Sequence, residues 1–126
     1  MAITYRIDAG ERIVYLATRG ESNFAEWRDA MLAALSDPAY RRGFNFLSDR
    51  SEETDVPDPE FTRAAAQFVR QHRRDLGGAR WAAVSASDAV FGMQRLFISL
   101  SAATGVTVRA FRDHEAARRW LLLSDG

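Results

Sequence analysis

The sequence predicts an α/β fold: a five-stranded, mostly parallel sheet with its first strand antiparallel, and four helices, in the order ββαβαβαβα. Three observations predict it. Residues 80–100 (RWAAVSASDAVFGMQRLFISL) join a short apolar run at 81–86 to a stretch of helical apolar spacing at 89–103, with Ser87 or Asp88 between them as a cap. A strand feeding a helix so directly is half of a βαβ unit. Short apolar runs and helical stretches go on alternating along the chain, which makes parallel pairing with right-handed crossovers the expected topology. Only the first two runs are joined by tight turn chemistry, Asp8-Ala9-Gly10-Glu11, so only they form an antiparallel hairpin.

In order, 3–7 alternates, with Ile3, Tyr5 and Ile7 on one face and Thr4 and Arg6 on the other. The run at 12–18 is more continuous, and Ile13, Val14, Tyr15 and Leu16 read as buried on both faces. Ser22 or Asn23 opens a first helix whose buried stripe is Phe24, Trp27, Met31 and Leu35, with Glu26 in capping-box position after Asn23 and Asp37-Pro38 ending it. Residues 44–48 form the third strand, followed by an acidic loop at 49–58. Asp58 caps and Pro59 begins the next helix, which carries Phe61, Ala64, Ala65, Phe68, Val69, His72 and Leu76 as far as Gly77-Gly78. The fifth strand, at 106–111, has a polar face (Thr107, Arg109) suited to a sheet edge, and Asp113 caps a last helix. The expected core includes Phe61, Phe68, Val84, Met93, Leu96 and Trp120.

Composition narrows the function. The 126 residues form a single domain, 1–126, long enough for a real core and too short for two. Lys plus Arg equals Asp plus Glu at 17 each, so no net field draws the chain to nucleic acid or an anionic membrane. The absence of cysteine excludes disulfides and thiolate chemistry. No signal-peptide pattern or apolar run of membrane-spanning length occurs, which points to a cytoplasmic protein without a membrane span. The two histidines, His72 and His114, fall on separate helices, and no nucleophile elbow, phosphate loop or dinucleotide glycine pattern occurs. The expectation is therefore a non-enzyme with no metal and no cofactor. Arg70, Arg73, Arg74 and Arg80 read as a solvated helix face, because Asp75 interrupts them and no aromatic platform is interleaved.

Several stretches carry a family likeness. ITYRID at the start, DPAYRRGF at 37–44, FGMQRLF at 91–97 and VRAFRD at 108–113, followed by Ala116 and Trp120-Leu121, resemble a group of small bacterial STAS-like (SpoIIAA-like) proteins, of the STAS/SEC14 type. The resemblance spans nearly the whole chain in the same element order and implies that fold. The better understood relatives are anti-sigma-factor antagonists, in which phosphorylation of a turn after the third strand controls binding to a kinase partner. The corresponding residues here are 48–54, where Asp49 and Ser51 match, the glycine of that turn is missing and the loop is more acidic. The resemblance implies Ser51 or Thr54 as phospho-acceptor, with Arg50 as the nearest compensating charge.

Two functional readings follow. The leading one is a regulatory or protein-interaction module resembling the anti-sigma-factor antagonists, with a protein partner or a second copy of itself (a homodimer). The alternative, which relatives with a lipid-transfer-like fold suggest, is a carrier of a small lipophilic ligand in an apolar pocket beside the central helix. On that helix Val90, Met93, Leu96, Phe97 and Leu100 fall on one face, which is expected to meet the sheet. Phe91 and Ile98 fall away from it, with Arg95 and Ala102 beside them. Phe91, Arg95, Ile98 and Ala102 are thus the expected interface or ligand-contact strip. An apolar cavity next to Phe91 and Ile98 would favour the carrier; a flat exposed patch there would favour the interaction module.

Overall fold

In the computed structural model, which describes residues 2–54 and 58–123, the strands are β1 (Ile3–Asp8), β2 (Ile13–Gly20), β3 (Asn45–Glu53), β4 (Arg80–Val84) and β5 (Thr107–Phe111). The helices are α1 (Phe24–Ser36), α2 (Pro59–Gln71), α3 (Arg73–Leu76), α4 (Asp88–Ser101) and α5 (His114–Leu122). The sheet runs β1-β2-β3-β4-β5, with β1 antiparallel to β2 and all other pairs parallel.

This sequential order decides where the helices go. Each strand adds on the same side of its predecessor, so right-handed crossovers send α1, α2 and α4 to one face of the sheet. The core divides accordingly. Val14, Leu16, Phe46, Trp81 and Ala83 point to the face holding Trp27, Met31, Phe68, Val69 and Phe97. Their strand neighbours Ile13, Tyr15, Leu47, Ala82 and Val84 point the other way, to Ala117 and Leu121 of α5. Ile13, Val14, Tyr15 and Leu16 are all buried, as the unbroken apolar run predicts. β1 and β5 are the edges, in keeping with their polar alternate positions.

Local signals placed the helices well. Asn23 Oδ1 accepts from Glu26 N–H (2.8 Å), Asp58 from Phe61 (2.7 Å), Ser87 Oγ from Val90 (3.3 Å) and Asp113 from Ala116 (2.8 Å). Gly77 ends α3 at φ 64°, and a Cβ there would stand 3.4 Å from the Gly43 nitrogen.

Three expectations need correction. The helix expected to run from Pro59 through Leu76 divides at His72, giving five helices rather than four. There the His72 N–H and ring Nδ1 both reach the Phe68 carbonyl at 3.0 Å, and the His72 ring stacks on Phe68 at 4.0 Å. β3 does not stop at Ser48: its acidic continuation pairs with the end of β2 through a register shift, and Glu52 meets Arg19 at 2.7 Å. Opposite charges across the pair make a strand of residues that read as a loop. Of the six expected core residues only Phe68 and Val84 are buried; Phe61, Met93, Leu96 and Trp120 are half-buried. For Phe61 and Met93 the cause is a cleft that both line.

Candidate functional site

The cleft opens between α2 and α4, above β3 and β4. From β3 it takes Ser48 and Arg50, which follow Phe46 at alternate positions and so share its face. β4 contributes Trp81 and Ala83; α2 adds Phe61, Thr62 and Ala65; Trp27 reaches in from α1. α4 supplies Val90, Met93, Gln94 and Phe97. The walls are mainly aromatic. Trp81 stacks on Phe46 (4.8 Å between centroids) and meets Phe97 edge-on at 5.7 Å, while Trp27 meets Phe68 edge-on at 5.3 Å. The cavity volume is about 40 Å³, within a cleft of about 440 Å³ that includes open solvent at its mouth. That cavity is room for about three waters.

Four polar side chains, Ser48, Arg50, Thr62 and Gln94, break the apolar lining. Gln94 is buried, and neither its Oε1 nor its Nε2 has a hydrogen-bond partner among the described residues. A buried amide without partners costs roughly 1–3 kcal/mol, enough to single out this side chain. Arg50 lies over the Phe61 ring at 5.2 Å and donates from Nη1 to Glu53 Oε2 at 2.6 Å. This ion pair is withdrawn from solvent, with side-chain exposures of 10% and 1%. Glu53 Oε2 also accepts from Ser22 Oγ at 3.2 Å, and its Oε1 has no partner among the described residues.

The buried row of α4 is Val90, Gln94, Phe97 and Ser101. The expected face (Val90, Met93, Leu96, Phe97, Leu100) is therefore turned: Met93, Leu96 and Leu100 are its half-buried flank. Apolar counting centred the face between Met93 and Phe97 and gave no weight to Gln94 or Ser101. Gln94 was nevertheless visible as a polar residue at i+4 from Val90 and i−3 from Phe97, inside the stripe. Arg50 was visible as a charge at an alternate position after Phe46 and Ser48, had the strand been extended past Ser48.

The expected strip Phe91, Arg95, Ile98 and Ala102 lies on another side of α4, and none of its members lines the cleft. Phe91 and Ile98 are half-buried, Arg95 and Ala102 exposed. The Arg112 guanidinium sits 4.3 Å above the Phe91 ring and bonds Asp88 at 2.7 Å. Ser51 is an exposed strand residue whose Oγ donates to Asp49 Oδ1 at 2.6 Å; Thr54 is exposed and its N–H donates to Gly20 O at 3.0 Å. Arg50 is engaged with Glu53 on the cleft side. Residues 55–57 of the acidic loop lie outside the described residues. Arg80 does not share a surface patch with the arginines of α2 and α3: its Nη1 donates to the Trp120 and Leu123 carbonyls at the end of α5.

On the opposite face of the sheet a second groove, of about 230 Å³, touches Thr4, Arg6, Tyr15, Ala17, Asp49 and His114. His114 Nδ1 lies 2.8 Å from Asp49 Oδ2, and its ring stacks on Tyr15. The Tyr15 hydroxyl donates to Glu11 at 2.5 Å, and Arg118 also bonds Glu11. Burial pushes the Asp49 carboxyl up, but hydrogen bonds from the Ser51 hydroxyl, the Ser51 N–H and His114 together outweigh it and hold it below the usual range. Tyr15 and Arg118 lower the Glu11 carboxyl in the same way, while burial and Glu11 raise Tyr15. These groups satisfy one another.

Among the described residues no cluster of three or more His, Asp or Glu could hold a metal, and no helix is long and apolar enough to cross a membrane. No family model matches the chain, and no curated protein matches it. Among solved structures the chain is similar to an uncharacterized protein of the DUF3478 family with a SpoIIAA-like fold from Shewanella loihica PV-4. The match covers 95% of this chain and 92% of that one, with a TM-score of 0.64 and 15% sequence identity. At that identity the likeness speaks for architecture alone, and the architecture is a SpoIIAA-like α/β fold.

Proposed function

We propose that the protein is a cytoplasmic, non-enzymatic ligand-binding module that takes a small, largely apolar molecule into the cleft between α2 and α4. One observation carries this reading: Gln94 is buried among aromatic walls, and neither end of its amide has a partner among the described residues, beside an open cavity. An apolar site with a few convergent polar groups has the usual composition of a small-molecule pocket. A ligand with one polar handle would satisfy Gln94 and bury its hydrocarbon against Trp27, Phe61, Trp81 and Phe97. The cavity's size favours a compact ligand. Nothing in the lining couples a nucleophile to a base, so binding rather than turnover is the function assigned.

Trp27 and Trp81 line the cleft, whereas Trp120 packs on the other face against Phe111. Titrating a Trp120→Phe variant with hexanamide and hexanoate while following tryptophan emission tests the proposal. A saturable change supports it; no change with either compound opposes it.

The regulatory-interaction reading, with a protein partner or a homodimer on the strip Phe91, Arg95, Ile98 and Ala102, has less support, because Arg112 roofs Phe91. Light scattering separates the two readings. A dimer that Ile98→Asp turns into a folded monomer supports the strip, and a wild type that is already monomeric opposes self-association through it.

A further inference from the structure

The polar groups of the cleft narrow the chemistry of the ligand's head. The only hydrogen bond the Arg50 guanidinium makes among the described residues is from Nη1 to Glu53. A guanidinium carries five N–H donors along two usable edges, so one edge can serve Glu53 while the other serves a second acceptor. Gln94 Nε2 is a further donor without a partner among the described residues, and Ser48, buried in the same cleft, has a hydroxyl. Donors therefore predominate around the polar end of the cleft.

An ammonium head would face the like charge of Arg50, with neutral acceptors only, Gln94 Oε1 and the Ser48 and Thr62 hydroxyls, among the lining residues. A primary amide or an alcohol would satisfy Gln94 and leave the free guanidinium donors unused. A carboxylate accepts from both Gln94 Nε2 and the guanidinium, with the charge-assisted bonds that are strongest in a partly desolvated site. Glu53 takes the Nη1 hydrogen bond of the guanidinium. It neutralises the buried Arg50 in the empty protein and, with Phe61 beneath the guanidinium, holds it in place at the cleft wall. The cavity then limits the chain: with room for about three waters it encloses about three heavy atoms, with any longer tail left in the mouth.

We propose, resting on the ligand-binding reading above, that the cleft selects a short-chain carboxylate whose head is held by Arg50 and Gln94 while its hydrocarbon lies among Trp27, Phe61, Trp81 and Phe97.

Isothermal titration of the full chain at neutral pH with acetate, butyrate, hexanoate and octanoate, and with the matched primary amides and alcohols, tests it. The expected result is a carboxylate bound about tenfold more tightly than its amide, the margin of a charge-assisted over a neutral hydrogen bond. In Arg50→Gln/Glu53→Gln, which removes both charges and strands neither, that preference disappears. Gln94→Leu weakens acid and amide together. Equal affinity for acid, amide and alcohol, or a preference that survives the double substitution, overturns the carboxylate assignment and leaves the ligand-binding reading standing. No binding by any compound in the three series overturns both.

Discussion

The two faces of the sheet solve the same problem differently. Three crossover helices cover one face with an aromatic core, and within it a buried glutamine has no partner among the described residues. A single helix covers part of the other face with a smaller cluster, and there the polar groups, Asp49 with Ser51 and His114, Tyr15 with Glu11 and Arg118, are mutually bonded. The thin side cannot exclude water, so its polar groups settle into ordinary surface networks. The thick side can, and an unpaired amide there is costly unless something else supplies its bonds. The two faces thus differ in whether their buried polar groups are bonded, and the proposed ligand site lies on the face where one is not.

If the thick face is the main store of stability, truncating it should hurt most. Trp81→Ala, at the centre of the aromatic stack, should destabilise by about 3–5 kcal/mol in chemical denaturation. A loss below 1 kcal/mol would mean that the stack is not the core. Gln94→Leu should do the opposite and raise stability by about 1 kcal/mol, since it removes two unsatisfied atoms and adds apolar contact. A loss of that size would instead show that Gln94 has bonds in the empty protein.

On the thin face the effects should be smaller and depend on pH. The Asp49 carboxyl titrates below its ordinary value in the folded protein, so its contribution is present above the unfolded value near 4 and is lost as pH falls through the folded one. Asp49→Asn should cost about 1 kcal/mol at pH 7, and the gap to wild type should close as the pH falls through the folded-state value, below the ordinary carboxylate range. A gap that persists in acid would assign the loss to packing. The Asp88–Arg112 pair is exposed, and Asp88→Ala should change stability by about 0.5 kcal/mol or less, read from the unfolding midpoint.

What was legible in the sequence follows the same division. Element order, the hairpin, the caps at Asn23, Asp58, Ser87 and Asp113, and the doubly buried β2 all come from local patterns with direct physical causes. The end of β3 was not legible, because Glu52 and Glu53 read as loop until Arg19 and Arg50 are placed beside them in space. The cleft was hidden for a related reason. Periodicity reports where apolar residues face, and a polar residue inside the stripe registers as noise rather than as a site. Gln94 acquires meaning only once Trp81 and Phe97 are known to surround it.

Native mass spectrometry of the protein, purified gently and then incubated with hexanoate and with hexanamide, tests whether the cleft is a ligand site anchored at Gln94. The account predicts a one-to-one small-molecule adduct on the wild type and its loss from Gln94→Leu, with the near-ultraviolet circular dichroism of the two proteins alike. A wild type that carries no adduct with either compound, or a Gln94→Leu variant that keeps it undiminished, would contradict the account.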